Sequence, residues 1–234
     1  ILSSLVGSEM CIRDRFCSVA DDGGIKFLPD RYVQGVCPAC SAEGARGDQC
    51  DACGATYEAN ELKDPVSKLN PEIPVEIRET DHLFFRLDLL QDDLETHAAS
   101  RRSTWKPNVR AMTQNWLNMG LRPRAVTRDI EWGVKIPLDD EVWGEKRVYV
   151  WFDAVQGYLT CARIWSERIA EESGSESDIW RRWWMDSGNL RHIYFMGKDN
   201  IPFHTIIWPG ILMALNRGRE DPERLHLEDN VASN

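Results

Sequence analysis

The sequence predicts an α/β fold that carries a small cysteine-rich module. Two observations lead there. From Val126 onward, β-prone runs alternate with helical ones, the pattern of βαβ units on a parallel sheet. Upstream, four of the seven cysteines fall in one window, Cys37-Pro38-Ala39-Cys40 and Cys50-Asp51-Ala52-Cys53. The composition, 42% hydrophobic and 28% charged over 234 residues, is that of a globular chain with room for one large domain or two small ones. A formal charge of −10 argues against a protein that holds nucleic acid by bulk electrostatics. Ten tryptophans point to a well-packed core or an aromatic pocket. No uncharged apolar stretch reaches the ~18–20 residues of a membrane span, so neither a membrane nor DNA is an expected partner.

Taken in order, residues 1–15 (ILSSLVGSEMCIRDR) lack the small-residue cleavage site of a signal segment, and Arg13 and Arg15 follow their apolar part. Leu5 to Asp14 is the translation of a common transposase sequencing adapter. Residues 1–15 are therefore expected to be a library scar joined to a gene fragment, outside the fold. Asp64 to Pro74 carries three prolines and reads as an extended connection. Pro74–Glu79 and His82–Leu87 read as strands. Residues 88–98 and 107–119 read as helices, the second with Val109, Met112, Trp116 and Met119 spaced for one face. Gly120 and Pro123 end it. Beyond Val126 the expected elements are a strand at Arg147–Phe152, a helix from Asp153 to about Glu172 and a Trp-rich helix at Asp178–Met185. A strand at Leu190–Met196 and an apolar helix over 203–215 complete the series.

Two C-x-x-C pairs separated by nine residues can each turn two thiolates toward one point, and four thiolates at ~2.3 Å satisfy tetrahedral zinc. Gly35, Gly44, Gly47 and Gly54 allow tight turns around them. Two disulfides or two redox motifs are the bland alternatives, but no βαβ setting surrounds the pairs. Cys37, Cys40, Cys50 and Cys53 are thus expected to hold one structural zinc ion in a reducing cytoplasm.

Ligands of parallel sheets bind beyond the carboxyl ends of the strands, here Trp151–Ala154 and Met196–Asp199. Gly197 permits close backbone approach, and the Asp199 carboxylate can accept from both hydroxyls of a ribose. Equally, Asp199 can simply cap the following helix. Trp151, Tyr158 and Trp208 can wall a pocket suited to a thioether, at ~0.3–1.5 kcal/mol per sulfur–aromatic contact, or can pack as ordinary core. His204 is open to the same two readings. No G-x-x-x-x-G-K-[ST], G-x-G-x-x-G or H-E-x-x-H motif is present.

Phe27–Val33 running through both cysteine pairs to Gly54-Ala55-Thr56-Tyr57 resembles the zinc-bearing connective peptide of the methionyl-tRNA synthetases. Tyr149–Tyr158 resembles that family's methionine-pocket segment. Phe195–His204 with Ile207-Trp208-Pro209-Gly210 resembles its adenylate-site segment. The resemblance runs in order over residues 16–234. It implies the second half of a Rossmann-like catalytic domain with an inserted zinc-binding connective peptide, divided as 16–123 (zinc knuckle about 35–57) and 124–234. It further implies a class I ligase that joins methionine and ATP into methionyl-adenylate and then charges tRNA(Met). Trp151, Ala154, Val155, Tyr158, Asn200, His204 and Trp208 match methionine-pocket positions, Val155 standing where some members have proline. Gly197 and Asp199 match ribose-binding positions, and Arg128 matches a catalytic arginine that organises the closed state. ATP enters as substrate, with magnesium.

The family's HIGH and KMSKS signatures are absent from these residues. The expectation is that a longer parent is the enzyme and that this chain alone is inactive. A zinc-ribbon RNA-binding module and a catalytically dead synthetase paralogue remain as alternatives.

Overall fold

The computed structural model describes residues 11–21, 24–55, 57–138, 141, 143–174, 178–185, 190–217, 225–227 and 230–233. The described residues divide into two units: those up to Phe84 with Ala125–Tyr149, and Phe85–Arg124 with those from Val150 onward. We call them the cysteine unit and the aromatic unit. The division differs from the expected boundary at 123/124. Residues 85–123 belong with 150–234, because the helices they form share a core with Ile201 and Val231.

In the cysteine unit, β1 (Cys11–Asp21) pairs antiparallel with β2 (Gly24–Phe27) and with β6 (Val75–Phe85), placing Cys17 opposite Ile77. The two strands expected at 74–79 and 82–87 are therefore one continuous strand. Residues 11–15, expected to lie outside the fold, continue the ladder opposite Glu79–Leu83. A ladder is made by main-chain groups, so it forms whatever the origin of the code. Residues 1–10 lie outside the described residues. A second sheet, ordered β4-β3-β5, is built from β3 (Val33–Val36), β4 (Ala45–Arg46) and β5 (Lys63–Ser67) around the cysteine turns. One core serves both sheets: Cys17, Val19 and Leu28 pack with Val33, Ala45 and Leu62.

In the aromatic unit, α1 (Gln91–Ser100) and α2 (Pro107–Asn118) lie where the apolar periodicity predicts. The buried face of α2 is Val109, Thr113, Trp116 and Leu117, the i, i+4, i+7, i+8 stripe of a helix. Met119 caps the helix and is exposed, not a core position. Thr113 is tolerated inside because its hydroxyl bonds the Val109 carbonyl at 2.8 Å and meets the Thr205 hydroxyl at 2.9 Å.

The β-prone run at 147–152 is strand at its first two residues and helical from Val150. Among the short strands β7 (Arg124–Ala125), β8 (Thr127–Arg128) and β9 (Arg147–Val148), β9 pairs antiparallel with β8. β8 offers only two residues to pair, so the ladder stops and the chain turns into α3 (Val150–Ala154). Trp151–Ala154 are thus helical, not the carboxyl end of a strand. α4 (Gly157–Ser173) ends on Gly174 in the left-handed region, φ 67°, its N–H bonded to Ala170 O. The Trp-rich helix contracts to α5 (Arg181–Trp184). β10 (Ile193–Met196) leads through a five-residue π-helical stretch, Phe203–Ile207, into α6 (Trp208–Asn216). β11 (Asn230–Ser233) then pairs with β10 in parallel. The parallel βαβ unit is therefore β10–α6–β11; the run at 147–152 is not its first strand. Among the described residues, no helix is long and apolar enough to cross a membrane.

Candidate functional site

The two cysteine pairs adopt the same turn twice. Cys37 N–H donates to Ala42 O at 2.9 Å, and Cys50 N–H donates to Ala55 O at 2.9 Å. Ser41 N–H returns to Cys37 O at 3.0 Å, and Gly54 N–H returns to Cys50 O at 2.8 Å. Each returning residue has positive φ, 61° at Ser41 and 74° at Gly54. The turns bring Cys37 Sγ within 3.9 Å of Cys53 Sγ and Cys40 Sγ within 3.7 Å of Cys50 Sγ. All four ligand atoms lie within 4.8 Å of one another. Thiolates ~2.3 Å from a central ion at tetrahedral angles stand about 3.8 Å apart. The four sulfurs therefore fit a single metal ion, and their thiols are free, not joined as disulfides. Burial raises the Cys37 thiol, but N–H groups of Cys40 and Ala39 outweigh it and bring it down to about 7, toward the thiolate a metal requires.

The aromatic site is assembled from three segments of the other unit. Tyr158, the second residue of α4, meets the Nε2 of His204 at 2.9 Å, and His204 Nδ1 meets the Asn200 carbonyl at 2.9 Å. A carbonyl can only accept, so Nδ1 carries the proton and Nε2 accepts from the Tyr158 hydroxyl. Burial lowers the His204 pKa below the ordinary imidazole value, which keeps that ring neutral. Tyr194, facing inward from β10, stands edge-on to Tyr158 at 5.0 Å and accepts from Trp208 Nε1 at 3.2 Å. Trp184 closes on Trp208 at 5.9 Å. Trp151 stands 5.8 Å from Phe203, the neighbour of His204. His204 and Trp208 are buried, whereas Tyr158 keeps 43% of its surface. Val155 is buried and Ala154 exposed.

Gly197 and Asp199 sit at the carboxyl end of β10, both exposed. A Cβ added at Gly197 would stand 3.0 Å from Asp199 Oδ1, so the carboxylate lies close over a position with no side chain. Gly197, not Asp199, holds the N-cap position of the 3₁₀ turn Lys198–Asn200, and no side chain caps it. The helical stretch that follows, Phe203–Ile207 into α6, likewise has no side-chain cap bond, so Asp199 makes no capping hydrogen bond here.

Arg128 belongs to the cysteine unit and is 5% exposed. Its guanidinium donates to Asp30 Oδ2 at 2.6 Å and to the Thr127 and Ala125 carbonyls at 2.8 and 3.0 Å, and it stacks 4.0 Å from the Tyr149 ring. Burial alone would lower its pKa, but Asp30 and Tyr149 hold it above the ordinary value. Beside it, Asp129 takes Lys146 and Thr80 (2.9 Å) and faces His82 Nε2 at 3.1 Å. Against the upward push of burial, His82 and Lys146 bring Asp129 down to about 2. Burial keeps His82 neutral.

Sequence reasoning missed Tyr194, Phe203 and this charged network. Alternation along β10 marks Tyr194 as inward, a signal that was available. Nothing local marks Asp30 and Arg128 as partners, 98 positions apart.

An α/β fold with a four-cysteine cluster and an aromatic site beside a parallel strand defines the class. The family follows from comparison. The model for tRNA synthetases class I (M) matches residues 10–234, and the chain belongs to that family. The methionine–tRNA ligase of Thermoplasma acidophilum is 52% identical over 189 residues, 81% of this chain and 33% of that protein. The methionine–tRNA ligase of a Roseiflexus species is 50% identical over 194 residues, 81% of this chain and 32% of that protein. The free-state methionyl-tRNA synthetase of Mycobacterium tuberculosis shares the fold, with a TM-score of 0.56 at 22% identity over 98% of this chain and 36% of that one. The chain therefore spans about a third of the length of these relatives.

Proposed function

We propose that these residues are part of a methionine–tRNA ligase whose full length activates methionine with ATP and passes the methionyl group to tRNA(Met). The observation that carries the reading is the bonded line Tyr158–His204–Asn200 beside Tyr194 and Trp208. It joins the segments that resemble the family's methionine pocket and adenylate site. Trp151, Tyr158 and Trp208 supply ring surface for a thioether, Val155 and Ala154 set the depth on the α3–α4 side, and Asn200 and His204 close the other. A neutral His204 that is fully bonded presents no charge to the thioether, so selection acts through shape. Gly197 and Asp199 receive the ribose of ATP. The methionine carboxylate is already a nucleophile, so attack at the α-phosphate with loss of pyrophosphate needs positioning and charge stabilisation, not a general base. Magnesium accompanies ATP in the longer protein.

Arg128 takes the role of a positioning residue, because its guanidinium is committed to Asp30 and Tyr149. The four thiolates hold zinc, the ion their closed all-sulfur set suits, and its contribution is to the fold of the cysteine unit. The cellular setting is a reducing cytoplasm.

The test uses the full-length gene and methionine-dependent pyrophosphate exchange. Trp151→Ala should raise the KM for methionine with little change for ATP. Asp199→Ala should lower kcat and impair ATP use together. An Asp199→Ala enzyme with both unchanged would remove the ribose assignment. The 234-residue chain alone should show no exchange, and measurable turnover by it would overturn that part.

A further inference from the structure

The thiolate cluster has a neighbour that its four ligands leave unexplained. Tyr57 follows closely on the second cysteine turn. It is 6% exposed and belongs to the core that holds Cys37, Cys50, Ala45 and Leu62. A buried tyrosine hydroxyl ordinarily finds a hydrogen-bond partner. That of Tyr57 has none among the described residues. A phenylalanine would fill the same space without a buried O–H that bonds nothing, and such a group costs stability. An orphaned donor in the core of a metal module points to an acceptor that gains strength when the metal is bound.

Two kinds of acceptor act on it. Burial first, then the charges of Cys37, Cys50, Asp48 and Cys53 in that order, hold the phenol above its ordinary pKa, so it keeps its proton and can donate. Asp48 is itself buried; its Oδ2 accepts from Arg31 Nε at 3.0 Å, while its Oδ1 has no partner among the described residues. Tyr57 and Asp48 are thus both in place and both short of a partner, yet no bond joins them. The cysteines differ because their acceptor strength changes. A thiol sulfur is a weak acceptor, whereas a metal-bound thiolate carries charge and strengthens any hydrogen bond it receives. The Cys40 N–H already points at Cys37 Sγ, at 3.5 Å.

We propose that Tyr57 is a positioning residue of the metal site: its buried hydroxyl donates a hydrogen bond to Cys37 or Cys50, the two buried sulfurs, once the four cysteines bind the ion as thiolates. The bond disperses part of the thiolate charge and fixes the direction from which that sulfur ligates. Cys40 and Cys53 are exposed and receive the same from solvent. The inference rests on the reading of the four cysteines as a zinc site and is independent of the residues assigned to methionine and ATP.

The experiment compares the full-length wild type with Tyr57→Phe, which keeps the ring and removes only the hydroxyl. Both are loaded with zinc and, for absorbance, with cobalt(II). Zinc affinity, measured by competition with a chromophoric chelator, should fall about tenfold, as it does for outer partners of metal ligands. The thiolate-to-cobalt charge-transfer band should move to longer wavelength, because a sulfur without its hydrogen bond gives up electron density more readily. A merely structural tyrosine would leave that band in place. A hydroxyl that stays unbonded in the metal-loaded protein gives the opposite sign: removing it relieves a desolvation cost, affinity rises, and the proposal falls. It falls equally if affinity drops with the band unmoved, or if the drop vanishes in an Asp48→Asn background, which assigns the hydroxyl to the carboxylate. A wild type that holds no more metal than Cys37→Ser with Cys50→Ser would overturn the zinc reading and the proposal together. A wild type and a Tyr57→Phe variant that bind metal identically would overturn the proposal alone.

Discussion

The two units hold polar groups inside by opposite means. The cysteine unit uses charge: four thiols around one point, Arg128 against Asp30, and Lys146 against Asp129, which a neutral His82 also faces. The aromatic unit uses neutral rings, with Tyr158, His204, Tyr194 and Trp208 linked by hydrogen bonds in which nothing is ionised. A charge taken from water needs its partner, and losing one member leaves the other exposed to the full desolvation penalty. A neutral hydrogen bond removed costs about 1 kcal/mol. The cysteine unit should therefore fail abruptly when a single group is removed or protonated, while the aromatic unit degrades gradually.

Metal removal tests this most severely. If the four thiolates hold zinc as proposed, the scale is that of zinc-finger peptides, whose apparent binding free energies are about 10–16 kcal/mol at neutral pH. Chelation, or Cys50→Ser, should abolish hydrogen-exchange protection in β3, β4 and β5 while leaving protection at Tyr194 and Trp208 largely intact. Equal loss in both units would erase the distinction between them. Next in size is the buried ion pair. Asp30→Asn leaves the Arg128 guanidinium without its counter-charge and should destabilise by about 3–5 kcal/mol in urea unfolding. The double change Asp30→Asn with Arg128→Met should recover much of that loss, because no uncompensated charge remains. A double variant as unstable as the single one would assign the loss to packing.

Acid acts on both units, through a buried histidine first and a paired carboxylate lower down, and variants separate the two contributions. Asp129 has a folded pKa of about 2, below its unfolded value of roughly 3.9, so its stabilisation is complete above the unfolded value and lost as pH falls toward the folded one. His82 and His204 are lowered by burial, so the unfolded chain binds their protons first, and stability falls as pH drops through roughly 6.5. Acidification from neutrality should thus weaken both units together. At lower pH both units should lose further stability, the cysteine unit through Asp129 between about pH 4 and 2 and the aromatic unit through Asp88, which Arg86 holds below the ordinary carboxylate value. Only the first loss should vanish in Asp129→Asn. An unchanged acid slope in that variant would transfer the effect to other carboxylates.

What could be read from the sequence divides along the same line. The thiolate cluster was legible because all its ligands lie between Cys37 and Cys53 and each pair is built by one local turn. α1 and α2 were legible from periodicity. The aromatic site was only partly legible, since Tyr158, Tyr194 and His204 meet through tertiary packing; the residues themselves left Tyr158 and His204 open between pocket and core, and the resemblance marked them as pocket positions. The run Arg147–Phe152 misled because β propensity needs a partner strand, and β8 supplies two residues. Arg128 was named for a catalytic role, but its burial against Asp30 appears only in three dimensions.

The smallest expected effect probes the duplicated turn. Ser41 and Gly54 occupy equivalent places, each donating its N–H four residues back to the first cysteine of its pair with φ near the left-handed well. Glycine adopts that conformation without penalty, whereas a residue with a Cβ is disfavoured there by roughly 1–2 kcal/mol, less for one that bonds locally. Ser41→Gly should therefore relieve strain that the unfolded-state entropy of glycine only partly offsets, for a net gain of about 0.5 kcal/mol in the metal-loaded protein. Gly54→Ser should lose about 1 kcal/mol. The two changes are mirror images of one exchange, so opposite signs would show that the turns are equivalent in energy as well as in geometry. If Ser41→Gly destabilises instead, the serine side chain holds its turn in a way its counterpart does without, and the two halves of the thiolate site are unequal.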